Sequence, residues 1–177
     1  MTSEEVRAVI YNQVDTFNKL NVPSLKNHGY HYASVTDFVL QEGEVFSTVT
    51  KAPRLGKPQN CYQNCTDMVL DEPLLYTYVE GFYINPKLPI LIHHAWVVTP
   101  DGTVVEPTLR WRGKTGVRRE GHGFMGVRIN SDLLLSAILQ TRTYGVIDDY
   151  PNSWPLLREK FDPTILVYPL KRNLTNA

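Results

Sequence analysis

The sequence has few cysteines, no long hydrophobic run and no export signal. Two cysteines in 177 residues are too few for the disulfide scaffold of a small secreted protein. No stretch approaches the roughly 20 apolar residues that a membrane-spanning helix needs. The first residues, MTSEEVRAVIYNQVD, begin acidic and lack the apolar core of a secretory signal. We therefore expect a cytoplasmic protein with reduced thiols and no membrane partner.

The sequence also lacks an excess of charge of either sign. Eighteen basic and eighteen acidic residues cancel, so no overall field attracts nucleic acid, and we expect no nucleic-acid partner. A local basic cluster is better explained as a solvated loop than as an anion site: Arg110, Arg112, Lys114, Arg118 and Arg119. A hydrophobic content of 42% is too high for a disordered chain. The length suits a single domain over residues 1–177.

The periodicity of apolar residues predicts several helices. Thr2 and Glu5 form a capping box before a first amphipathic helix. Residues 34–43 predict a short helix that Ser34 caps and Gly43 stops. Residues 61–71 suit a helix with a buried stripe made of Cys61, Cys65, Met68 and Val69. Ser131 can cap a helix that carries Leu134, Leu135, Ile138 and Leu139, and Asn152 or Ser153 can start a last short helix through WPLLREKF, residues 154–161.

Alternating or continuous apolar runs predict strands between these helices. The runs are EVFSTVT (44–50), LLYTYVEGFYI (74–84), ILIHHAWVVT (90–99), TVVEPTL (103–109) and TILVYPL (164–170). Pro100, Asp101 and Gly102 are a strong hairpin signal, and residues 110–123 predict a surface loop. The fold class expected is α+β, with helices packed on an antiparallel sheet. Residues 1–56 form an N-terminal helix and variable segment, 57–157 the core, and 158–177 a terminal strand and tail.

The two cysteines are candidates for a catalytic nucleophile. They lie four residues apart at a predicted helix start, in KPQNCYQNCTDMVL (57–70). A nucleophilic cysteine needs a lowered thiol pKa, a base within reach and a group that orients the base. The free amides and dipole of a helix start favour a thiolate. Cys61 is at that start and Cys65 lies one turn further in, so Cys61 is the better candidate nucleophile.

The base must come from one of five histidines. His93 and His94 lie on one strand and point to opposite faces. A three-residue hairpin loop with Gly102 in the left-handed conformation pairs Thr99 with Thr103. That register places Glu106 on the face of His94, diagonally across the strand pair, whereas a two-residue loop would place it on the face of His93. We favour the first register, which predicts the set Cys61, His94 and Glu106.

An oxyanion formed during acyl transfer would need donors. The backbone amide of Cys61 and the side-chain amide of Gln59 or Asn60 are the candidates, while Asn64 is expected to stabilise the fold. Alternatives remain on spacing alone: two inert buried thiols, a zinc site of both cysteines with two of His93, His94 and His122, or a disulfide. We expect no metal and no cofactor.

The motifs also resemble a known superfamily. HAWVV (94–98) followed by DGTVVEPT (101–108) resembles the second half of the transglutaminase-like motif, and CYQNC (61–65) and YVEGF (78–82) look like the nucleophile helix and connecting strand of the same papain-like superfamily. The chain also resembles a set of small bacterial and phage proteins at two later segments, FMGVRI (124–129) and YGVIDDYPNSWPLL (144–157). The resemblance covers residues 57–157.

The resemblance implies a papain-like fold with Cys61 as nucleophile and His94 as base. Glu106 stands where the family usually has aspartate, and Cys65 where the similar set tends to have alanine. The implied activity is acyl transfer through a thioester on Cys61, most simply hydrolysis of an amide, peptide or isopeptide bond in a peptide, protein or small amide substrate. Amine transfer of the transglutaminase type and a non-catalytic binding domain with a vestigial triad are the alternatives.

Overall fold

A computed structural model describes residues 1–88, 90–109 and 122–169. The chain has an α+β fold. Its described α-helices are α1 (Ser3–Lys19), α2 (Val35–Glu42), α3 (Cys61–Asp71) and α4 (Ser131–Thr141). Its described strands are β1 (Glu44–Phe46), β2 (Val49–Lys51), β3 (Thr77–Ile84), β4 (Leu91–Val98), β5 (Val104–Glu106) and β6 (Gly123–Ile129). Short 3₁₀ turns cover Leu25–His28, Tyr150–Asn152 and Pro155–Leu157.

Local capping chemistry explains where the first helices begin. The Thr2 hydroxyl accepts a bond from the backbone N–H of Glu5, and the Glu5 carboxylate accepts one from the N–H of Thr2, which confirms the predicted capping box. The Ser34 hydroxyl caps α2 by accepting from the N–H of Asp37, and Gly43 ends that helix. These contacts satisfy amide groups that a helix end otherwise leaves without partners.

One six-stranded sheet forms the centre of the fold, in the order β1-β6-β3-β4-β5-β2. Neighbouring strands are antiparallel except β5 and β2, which are parallel. The predicted strand over residues 44–50 is therefore two short strands at opposite edges of the sheet. The long central strands β3 and β4 pair along their whole length, from Thr77 with Val98 to Ile84 with Leu91.

The two faces of the sheet carry different parts of the core. All four buried positions predicted on α3 are buried, and they pack with the helix-facing side chains Tyr78, Phe82, Ala95 and Val97. The opposite face carries a smaller aromatic cluster that includes Phe46, Tyr83, Trp96 and Phe124. A β-carbon at Gly126 would lie 2.7 Å from the Trp96 ring, so the absence of a side chain there makes room for the indole.

Several expectations were wrong in detail. β6 begins at Gly123, the last residue of the predicted surface loop, and no strand was predicted over residues 124–129. Asn130, and not Ser131, caps α4, and Leu135 and Leu139 of that helix are exposed while Leu133 and Ala137 are buried. Residues 153–161 contain a 3₁₀ turn instead of a helix, since Ser153 and Trp154 have left-handed backbones. Residues 164–169 of the predicted terminal strand form no strand.

The predicted basic cluster at 110–119, most of the predicted loop at 110–123 and residues 170–177 lie outside the described residues. Within the described ranges, no helix is long and apolar enough to cross a membrane.

Candidate active site

Both cysteines lie on α3, one turn apart, and neither forms a disulfide. Cys61 is the first residue of the helix and keeps 9% of its surface exposed, whereas Cys65 is fully buried. Burial raises the pKa of the Cys65 thiol well above its usual value, and the nearby charges of Glu106, Cys61 and Glu80 add to that effect. Cys65 therefore packs in the core, while Cys61 lies at the start of the helix, and the difference in their reactivity stays a prediction.

The β4–β5 hairpin has the three-residue loop expected from the sequence. The N–H of Thr99 donates to the carbonyl of Thr103 (3.0 Å), and Gly102 has a left-handed backbone with φ 82°. The strands pair Val98 with Val104 and Val97 with Val105. This register places Glu106 on the His94 face, so the predicted register is confirmed.

His94 connects the other two members of the predicted set. Its ring is buried, with 4% of the residue exposed, and Nε2 lies 2.6 Å from Oε2 of Glu106. Cys61 lies close enough to His94 for its side chain to raise the pKa of the imidazole, and Nδ1 is the ring nitrogen that Glu106 leaves free for a further partner. The structure therefore brings together Cys61, His94 and Glu106.

Glu106 is fixed by backbone groups of the residues that follow it. Its other carboxylate oxygen, Oε1, accepts hydrogen bonds from the N–H groups of Thr108 (2.6 Å) and Leu109 (2.9 Å). The residue is fully buried. A carboxylate held in this way presents Oε2 to His94 in one orientation, which fixes the imidazole as well.

The environment of His94 favours its charged form. Burial lowers the pKa of His94, because it disfavours the imidazolium. Hydrogen bonds with Cys61 and Glu106 and the negative charges of both groups outweigh burial and raise the pKa to about 9. His94 is therefore protonated at neutral pH, and an adjacent imidazolium stabilises a cysteine thiolate.

Asn64 joins α3 to the end of β5. Its two amide hydrogens are donated to the Lys57 carbonyl (2.8 Å) and the Thr108 hydroxyl (2.9 Å), and its Oδ1 accepts from the Lys57 N–H (3.0 Å). Gly56 packs so closely that a β-carbon there would lie 2.2 Å from Asn64 Cγ. Both donors of Asn64 are used, so its role is structural, as the sequence suggested.

The two candidate oxyanion side chains lie immediately before the helix. Gln59 is exposed and has a left-handed backbone with φ 65°. Asn60 occupies the N-cap position, but its side-chain amide donates to Oε1 of Gln63 (3.4 Å). The sequence therefore placed both side chains near Cys61 correctly, while any contact with a reacting oxygen remains a prediction.

Sequence reasoning missed a second polar group beside α3. Glu80 is buried on β3, and its carboxylate accepts bonds from the N–H groups of Val146, Ile147 and Asp148 and from the Tyr78 hydroxyl. Burial raises the pKa of Glu80, while these bonds partly offset the effect. The three backbone partners lie more than 60 positions further along the chain than Glu80, and no local pattern connects them with it.

His122 and the aromatic residues near His94 belong, like His94 itself, to the sheet face that carries the smaller aromatic cluster. His122 was expected to be exposed but is buried, and its Nδ1 is hydrogen-bonded to the Tyr83 hydroxyl. The Tyr83 ring lies 6.0 Å from the His94 ring, and Trp96 stacks on His94 at 6.3 Å. Trp96 is fully buried, so it is a core residue that supports the imidazole.

Within residues 1–88, 90–109 and 122–169, no three histidine, cysteine or acidic side chains are grouped as metal ligands. Comparison of the chain with family models, curated proteins and solved structures finds no match. The chemistry of the site is therefore argued from the residues themselves.

Proposed function

We propose that the chain is a cysteine-dependent acyl-transfer enzyme that hydrolyses an amide, peptide or isopeptide bond. The observation that carries the proposal is that the buried Glu106 hydrogen-bonds His94 while Cys61, at the start of α3, is near enough to raise the pKa of the same imidazole. A helix that begins at a cysteine and packs on an antiparallel strand pair bearing histidine and acid supports a papain-like fold for the residues 57–157. This arrangement matches the nucleophile, base and orienting acid of thiol hydrolases.

The reaction follows from the protonation states. The Cys61 thiolate attacks the carbonyl carbon, and the oxyanion that forms is positioned for the backbone N–H of Cys61 and for Gln59 or Asn60. The intermediate collapses when the leaving amine takes the proton from His94 Nδ1, which leaves a thioester on Cys61. Water then attacks the thioester and gives a proton to His94, and the thiolate leaves. Glu106 holds the imidazole orientation in each step.

Native alkylation with iodoacetamide at pH 7 tests the thiolate, with peptide mapping to separate the two thiols. We expect Cys61 to react and the fully buried Cys65 to be protected. His94→Ala should slow the reaction of Cys61, because it removes the imidazolium that favours a reactive thiolate. His28→Ala is the matched control, because His28 is an exposed histidine of the 3₁₀ turn Leu25–His28 and takes no part in the site.

Acyl transfer itself is tested with p-nitrophenyl acetate, an activated ester that needs no specific recognition. We expect a stoichiometric burst of p-nitrophenol and an acetyl adduct on Cys61, lost in Cys61→Ala and kept in Cys65→Ala. A thiol that is alkylated selectively but never acylated would favour a binding domain with a vestigial triad. Equal, slow alkylation of both cysteines would overturn the enzyme proposal.

A further inference from the structure

The exposed carboxylate of Asp148 is held in a defined orientation on the helix side of the sheet. Its Oδ2 lies 3.3 Å from His93 Nδ1, and its Oδ1 accepts a hydrogen bond from Trp154 Nε1 (3.2 Å). Its backbone N–H donates to the buried Glu80 carboxylate (2.9 Å). The Asp148 side chain nevertheless keeps 36% of its surface exposed, so a carboxylate that protein contacts hold in place is open to solvent.

The Asp148 segment lies next to the start of α3. A β-carbon at Gly145 would lie 3.7 Å from the ring of Tyr62, the residue that follows Cys61. Burial raises the pKa of Tyr62, and the negative charges of Glu80, Cys61 and Asp148 raise it further, as expected when these groups surround one ring. The segment 145–148 therefore forms a wall beside the nucleophile.

Strand β4 shows how far the His93–Asp148 pair lies from the buried core. Ala95 is buried in the core that contains Cys61 and Cys65. His93 is two residues away on the same face, a step of roughly 7 Å, and its side chain is 40% exposed. The sheet face thus opens to solvent one step along β4 from the buried Ala95, where His93 pairs with Asp148.

The charge of this opening is negative. Partial burial, including edge contact with the Phe82 ring at 4.6 Å, lowers the pKa of His93 despite Asp148, so the imidazole is neutral at pH 7. Among the described residues, His93 is the only basic side chain within 4 Å of the Asp148 carboxylate. The carboxylate charge is therefore not cancelled by a protein cation in the described part of the chain.

One aromatic ring, Trp154, bonds this carboxylate, and a second ring lies beside Trp154. Tyr150 lies edge-on to Trp154 at 5.1 Å and is 71% exposed. Ser153 and Trp154 both adopt left-handed backbones, with φ 57° and 43°, a strained arrangement that is more common at functional sites than elsewhere. A carboxylate beside exposed aromatic rings is a typical site for an ammonium or guanidinium group.

We propose that Asp148, with Trp154 and Tyr150, binds a cationic group of the substrate next to the bond that Cys61 attacks. The occupant is an ammonium or guanidinium, such as a lysine or arginine side chain of a peptide substrate. This inference rests on the proposed function, since Cys61 must be the reacting residue. It assigns Asp148 as a specificity-determining residue, and Glu80 positions it through the backbone of residues 146–148.

Charged thiol reagents test the proposal without knowledge of the natural substrate. The probes are three methanethiosulfonates of similar size that bear a trimethylammonium, a sulfonate or only a methyl group. Their rates with Cys61 are measured at pH 7 and low ionic strength and are normalised to the rates of a free cysteine derivative. We expect the wild type to favour the cationic over the anionic reagent. Asp148→Asn should lower that ratio several-fold, because it removes one unit of negative charge near the reacting thiol.

The neutral reagent and a distant variant serve as controls. Glu72→Gln removes an equal charge from the exposed C-cap of α3, at the end of the helix opposite Cys61, and should leave the ratio unchanged. High salt should reduce the effect of Asp148. The inference is overturned if Asp148→Asn leaves the ratio unchanged or alters the three rates in equal proportion. If Cys61 reacts with none of the reagents faster than an ordinary thiol, in any variant, the proposed function fails first.

Discussion

Glu106 meets His94 diagonally across β4 and β5, at 2.6 Å between Oε2 and Nε2. Continuing the pairing of Val97 with Val105 places Trp96, and not His94, directly opposite Glu106. A shift of one residue in this register would move Glu106 to the face of His93. The geometry of the candidate site therefore depends on the turn that joins the two strands.

The conformation of Gly102 should matter to stability, because it fixes this turn. Its φ is 82°, and the nearest atom to an added β-carbon is Arg128 Nη2 at 3.6 Å, so backbone strain and not crowding limits substitution. We expect Gly102→Ala to lower the free energy of unfolding by about 1 kcal/mol. Gly102→Asn should cost less, since asparagine tolerates the left-handed region. Urea denaturation measures both, and equal stability of the two variants would contradict the turn described.

The raised pKa of His94 makes stability depend on pH. Its pKa is about 9 in the folded chain against an ordinary value of 6.5, so folding favours the protonated ring. This contribution is fully present below about pH 6.5 and is lost as the pH rises through 9. We expect the free energy of unfolding, measured in urea, to fall across that window.

Glu106→Gln provides the comparison for this pH dependence. The amide keeps nearly the shape of the carboxylate but removes its charge, so the pKa of His94 should decrease. The fall in stability should then move to lower pH, and Cys61 should be alkylated more slowly at pH 7. Identical pH profiles for the wild type and Glu106→Gln would show that Glu106 does not hold the charge on His94.

The sequence predicted those parts of the site that depend on local chemistry. The Pro100-Asp101-Gly102 turn determined the register of Glu106, and the break before residue 61 located the helix that begins at Cys61. Capping residues such as Ser34 likewise act within a few positions of the groups they bind. These features could be predicted because the residues that form them are close together in the chain.

Features that depend on distant contacts could not be predicted in this way. Gly123 and Gly126 suggest a loop, yet β6 is a central strand, because Gly126 accommodates the Trp96 ring of a strand two positions away in the sheet. His122 is buried against Tyr83, 39 residues earlier. Glu80 fixes Asp148 across 68 residues. A single sequence contains no periodic or turn signal for such pairs.

Asn64 should be a major support of the site, since it connects α3 with Thr108 and the segment at Lys57. Asn64→Ala removes three hydrogen bonds at a buried position, and we expect a loss of about 2–4 kcal/mol, because buried groups are left without partners. Asn64→Asp keeps the acceptor for the Lys57 N–H but loses both donors, so it should also destabilise the fold. Urea denaturation gives the values. A neutral effect of Asn64→Ala would show that these contacts are not formed in solution.

Glu80→Gln tests whether the buried carboxylate organises residues 146–148. Three backbone N–H groups and the Tyr78 hydroxyl point at it, which only an acceptor-only group can satisfy. The amide of glutamine would turn a donor toward at least one of these N–H groups, and we expect a loss of about 1–3 kcal/mol. Tyr78→Phe removes one donor and keeps the carboxylate, so it should leave amide hydrogen exchange at residues 146–148 slow, whereas Glu80→Gln should accelerate it. Equal exchange in both variants would mean that the segment is held by other contacts, and Asp148 would then owe its position to His93 and Trp154.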